Sequence, residues 1–94
     1  MYKILLSESY IKKEKSFIKK HPELKERYAK TLKLLKHNPH HPSLRLHKLR
    51  GNLKEYHSIS ISMSYRIVLE MVIIDKEIIL IDIGKHDEVY GWVR

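Results

Sequence analysis

The apolar residues of this chain change period partway along, and that change limits the fold more than any other feature. Between residues 10 and 35 they recur at helical spacing, and between residues 56 and 83 they alternate or run together in strand-length stretches. In the first part, Tyr10, Ile11, Phe17 and Ile18 share one helical face and repeat at seven residues; Leu24, Tyr28, Leu32 and Leu35 follow at a similar spacing. Pro22 divides the two runs. The residue ahead of a proline disfavours the helical region, whereas proline itself suits the first turn of a helix, where no N–H is needed. Ser7 and Ser9 are both candidate N-caps. Glu23 and Glu26 sit at the positive end of the second helix, Lys33 and Lys36 lie toward its other end, and Asn38-Pro39 stops it. An apolar stripe on each helix has to be buried, and the β-rich second half is its natural partner.

The strand readings follow from alternation and from turn residues. Tyr2–Leu6 is β-compatible. Tyr56–Ile61 puts Ile59 and Ile61 on one face and Ser58 and Ser60 on the other. Ser62–Ser64 fits a short connection, Tyr65–Ile74 a long apolar strand, and Asp75-Lys76 a hairpin turn. Glu77–Ile83 is nearly continuous in apolarity, as a central strand is, and Gly84 ends it. His40–Leu46 reads as a loop, Gly51-Asn52 as a turn, and Asp87–Trp92 as a short helix or an extended tail. The expected order is β-α-α-β-β-β: an α+β fold, with an N-terminal strand and a helical hairpin packed on a small antiparallel sheet. The pattern leaves open which strand pairs with the first. The 94 residues are expected to form one domain, 1–94.

Composition narrows the partners. The net charge of +8 favours encounter with polyanions, nucleic acid first and an acidic protein next, although a solvated lysine surface gives the same number. There is no cysteine, which excludes disulfides and thiolate metal sites. No apolar run approaches the ~18 residues of a membrane span, and the N-terminal run is too short for a signal peptide, so a cytoplasmic protein is expected.

Metal-free cleavage of an RNA backbone needs a base, a cation at the phosphate and an acid. His86, Arg66 and Tyr90 are the candidates, each placed by the strand pattern near a sheet rim. Each also has a plainer explanation. His86 fits a turn histidine equally well; Arg66 reads more simply as an exposed strand arginine paired with Glu55 or Glu70; Tyr90 reads more simply as a core-capping residue beside Trp92. His47, Lys48, Arg50 and Lys54 form a basic cluster around Gly51 suited to tracking phosphates. His37, His40 and His41 suggest a metal only superficially, because Pro39 and Pro42 break helical ligand spacing and no carboxylate lies close in sequence. No metal and no cofactor are expected. The alternating serines from Ser58 to Ser64 lack the glycine elbow of a serine hydrolase.

The strings HKLRGNLKEY, SYRIVLE and IDIGKHDEVY together resemble the RelE/ParE superfamily of bacterial toxins from type II toxin–antitoxin modules, and within it the RelE and YafQ branches. The resemblance implies a microbial-RNase-like α+β fold and a ribosome-dependent endoribonuclease acting on mRNA. It also implies a cognate antitoxin that neutralises the toxin, and operator DNA as a candidate target of the complex. By the same resemblance Arg66 is the phosphate-stabilising arginine, His86 the catalytic histidine, Tyr90 the orienting aromatic and His47 the histidine ahead of the LxG turn. Lys48, Arg50, Lys54 and Lys85 are then RNA-backbone contacts. The chain departs from the pattern where Ser58 and Ser60 stand in place of lysines or a histidine, and Ser64 in place of an aspartate. Serine is a poor general base. Two other readings therefore stay open: a ParE-like gyrase inhibitor, and a decayed homologue that only binds its antitoxin.

Overall fold

The computed structural model describes residues 1–49 and 55–85. The chain opens with β1 (Lys3–Leu6) and enters α1 (Glu8–Lys20) directly. Of the two candidate serines Ser7 is the cap: its Oγ accepts the Tyr10 N–H at 3.1 Å. Pro22 starts a single 3-10 turn (Pro22–Leu24), and α2 follows from Lys25 to His37. The segment expected as a loop after α2 contains a second 3-10 turn, Pro42–Leu44, which drives Leu44 into the core. Four more strands complete the order: β2 (His47–Lys48), β3 (His57–Ser60), β4 (Tyr65–Val72) and β5 (Glu77–Lys85).

The α+β expectation holds, with two differences of detail. Among the described residues the sheet has five strands in the order β1-β5-β4-β3-β2, because the two-residue β2 adds to the outer edge of β3. It is mixed and not wholly antiparallel, because β1 pairs parallel with β5 from Lys3↔Glu77 to Leu6↔Leu80. A first strand followed by two helices can return beside the last strand in the same direction, as a crossover connection does. Tyr65–Ile74 is shorter than the apolar run suggested: Val72 is the last paired residue, and Ile73 and Ile74 are exposed in the turn, which Lys76 closes at φ 52°. Conversely, β5 continues through Gly84 to Lys85.

One sheet face carries the main core. Ile59, Ile67, Leu69, Ile78, Leu80 and Ile83 pack there against Tyr10 and Phe17 of α1 and Tyr28 and Leu35 of α2. Each fully buried aliphatic side chain contributes about 1.5–3 kcal/mol relative to exposure. The interhelical polar atoms are satisfied among themselves. Tyr10 and Tyr28 hydroxyls lie 2.8 Å apart, and the Tyr28 hydroxyl donates to Glu14 Oε2 at 2.6 Å. Burial pushes both phenols well above their ordinary value, so both stay protonated. Thr31, which the apolar pattern passed over, is buried because its hydroxyl donates to the Arg27 carbonyl.

Candidate functional site

Register decides which side chains share the other face. Cross-strand partners lie on the same side of a sheet and successive residues on opposite sides. His47 pairs with Ser58, and Ser58 with Val68. One row further along, Ser60 pairs with Arg66, and Arg66 with Gly84. These two rows place His47, Ser58, Ser60 and Arg66 together on the face away from the main core. A second, smaller apolar cluster of Leu49, Val68, Tyr56 and Ile81 forms the floor beside them. The register shift between Val68 and Leu69 puts an extra residue of β5 here, Ile81, which packs on this floor.

Arg66 is the outstanding group of this face. The residue is half-buried, and its Nε and Nη1 are buried with no hydrogen-bond partner among the described residues. The pairing with Glu55 or Glu70 that would have made it an ordinary strand arginine does not form. Leaving such donors unsatisfied costs about 1–3 kcal/mol each, more for charged groups. Its β5 partner is Gly84, which presents no side chain to cover or neutralise it. A planar fork of donors kept without an acceptor suits a phosphate or carboxylate. The sequence signal for this arrangement was the glycine within an otherwise apolar strand, which was read as a strand end.

The serines supply no base. Ser58 is fully buried, and Ser60 Oγ donates to the Ser62 carbonyl at 2.8 Å, which ties it into the following turn. His57 lies on the opposite face, opposite Leu69 and Lys48, and β3 runs in unbroken register, so the histidine is not rotated toward the serines. Its pKa is lowered, first by burial and then by Lys48, His40 and His47, which keeps it neutral at pH 7. His47 is exposed and pairs into the site face, whereas Lys48 next to it points to the His57 side. Lys85 is exposed at the end of β5, opposite Tyr65 on the helix-side face. Thus the structure brings His47 and Arg66 to one face and separates Lys48 and Lys85 from them. His86, Tyr90, Arg50 and Lys54 lie outside the described residues. Among the described residues no group of three or more His, Asp or Glu could hold a metal ion, and no helix is long and apolar enough to cross a membrane.

The fold has counterparts among solved structures. YafQ from E. coli strain BL21(DE3) superposes with a TM-score of 0.78 at 18% identity, over 97% of this chain and 100% of its own. A metal-bound toxin from Helicobacter pylori matches at 0.76 and 24%, over 95% and 99%. The YoeB–YefM complex from Staphylococcus aureus matches at 0.71 and 22%, over 92% and 98%. No protein-family model matches the chain, and no curated protein matches it by sequence. Its helical hairpin on a mixed five-stranded sheet is thus a fold shared with YafQ and with the YoeB/ParE toxin from Agrobacterium tumefaciens.

Proposed function

We propose that the protein is the toxin of a type II toxin–antitoxin pair and an endoribonuclease that cleaves mRNA on the ribosome without a metal. The observation that carries this reading is Arg66, a half-buried guanidinium on the sheet face away from the helices, two of whose nitrogens have no partner among the described residues. In this reading Arg66 clamps the scissile phosphate and stabilises the charge that grows on it in the transition state. His47 stands on the same face within the same two cross-strand rows and is the second candidate group of the site. His86 and Tyr90 complete the acid–base and orienting roles by sequence resemblance. Arg50 and Lys54 hold backbone phosphates, with Lys48 and Lys85 reaching the strand from the other face. The partner is an acidic or amphipathic antitoxin, matched to a net charge of +8.

One observation favours a second reading. With Ser58 buried and Ser60 tied into a turn, β3 offers no proton acceptor to the site. A binding toxin of the gyrase-inhibitor type would need none. The test is inducible expression in bacteria with primer extension across a translated message, comparing the wild type with Arg66→Ala and His86→Ala. Translation-dependent cuts that vanish in both variants support the nuclease. Growth arrest with DNA damage and intact message supports the second reading and overturns the first.

A further inference from the structure

The rim that holds Arg66 has a second concave surface on its helix side. A groove of about 170 Å³ lies between α1 and the paired ends of β4 and β5, lined by Lys13, Ser16, Lys20, His21, Tyr65 and Gly84. Three features make it unlike a chance surface dip. Its wall is aromatic: the Tyr65 and His21 rings lie 4.6 Å apart at 52°, and both rest on Phe17, at 5.3 and 5.1 Å. Its rim is cationic, and Lys20 forms no ion pair or hydrogen bond among the described residues, while Lys13 and His21 stand 3.2 and 3.6 Å from Asp82 and Glu23. Finally, Gly84 both lines the groove and pairs with Arg66. β1 reaches only to the level of Leu80, so no described strand flanks Gly84 on its outer side.

We propose that this groove is a nucleotide subsite: the RNA chain held at Arg66 passes around the open edge of β5 at Gly84 and seats a neighbouring base against the Tyr65–His21 rings. Lys20 and Lys13 take its phosphate. The subsite rests on the reading of RNA as the substrate. A cavity of roughly 150 Å³ accepts one six-membered aromatic ring, so the volume fits a single base. Stacking on aromatic rings beside lysines is how single strands are held without sequence readout. An acidic peptide would use the lysines but would leave the ring wall unused, which is why RNA is the occupant favoured here.

The test is an NMR titration of the full chain with a five-nucleotide oligoribonucleotide, 2′-O-methylated throughout so that it cannot be cut. The Tyr65 and His21 ring signals are expected to shift together with the Arg66 guanidinium signal. Ser16→Glu and Lys20→Glu, both on the exposed side of α1, should each weaken binding by about tenfold and lower the salt dependence, with the dispersed spectrum confirming the fold. Shifts at Arg66 with Tyr65 and His21 unmoved would overturn the subsite and leave the Arg66 reading standing. No shift at either place would overturn both. Ring shifts produced by an acidic peptide and not by the oligonucleotide would overturn the subsite in favour of a protein contact.

Discussion

The two faces of the sheet are built to different rules. On the helix side a central row sets aliphatic against aliphatic, Ile59↔Ile67↔Ile83, and those side chains are almost wholly buried. On the other side the neighbouring row reads Ser60↔Arg66↔Gly84, with a half-buried cation whose Nε and Nη1 find no acceptor among the described residues. One face stores the stability of a small domain. The other tolerates a local cost, as sites poised for a ligand do. The difference teaches that stability and function should respond to different substitutions on the same strands, sometimes at adjacent residues.

The largest separation is expected at neighbouring positions of β4. Arg66→Ala should reduce RNA cleavage by about 10²–10³, the effect of losing one transition-state donor, while leaving the unfolding midpoint in urea near that of the wild type. Ile67→Ala, one residue along and fully buried, should lower stability by about 2–5 kcal/mol and reduce cleavage only in proportion to the unfolded fraction. Equal loss of stability in both variants would erase the distinction between the faces. Next in size is Tyr28→Phe, which strips the shared hydrogen bonds from Tyr10 and Glu14; a loss of about 1–3 kcal/mol is expected, read by thermal unfolding, with cleavage at low temperature unchanged. Ser7→Ala removes the α1 cap and should cost about 1 kcal/mol.

The smallest effect concerns pH. The folded-state pKa of His57 lies below its ordinary value of 6.5, so the unfolded chain takes up that proton first as the pH falls. Stability should therefore be level above about pH 6.5 and decline below it. Replacing His57 with Gln should flatten that decline in urea titrations between pH 5 and 8. A decline of the same steepness in the variant would assign it to another group.

How much of this was legible in the sequence follows from the range of the interactions involved. The helices were, because a 3.6-residue stripe, a capping serine and Pro22 are local signals, and Tyr10, Phe17, Tyr28 and Leu35 are indeed buried. The parallel pairing of Lys3–Leu6 with β5 was not, since nothing local records the partner of a strand so distant in sequence. Nor was β2, too short to show any period. Arg66 was named from its position and resemblance, yet its spacing to Glu55 and Glu70 favoured an ion pair. Only the register, which sets Gly84 opposite it, shows why no counter-charge is supplied from β5. The burial of Ser58 was not legible either, because alternation tells which face a residue takes and not what covers that face.

The most direct test of the claim that Arg66 is held ready for an anion is the urea unfolding free energy of Arg66→Met. Methionine keeps the length and apolar stem and removes the donors that lack acceptors. Stability equal to or above that of the wild type is the predicted result. A loss of more than about 2 kcal/mol, of the size seen when a buried charge pair is broken, would contradict it and make Arg66 a structural residue.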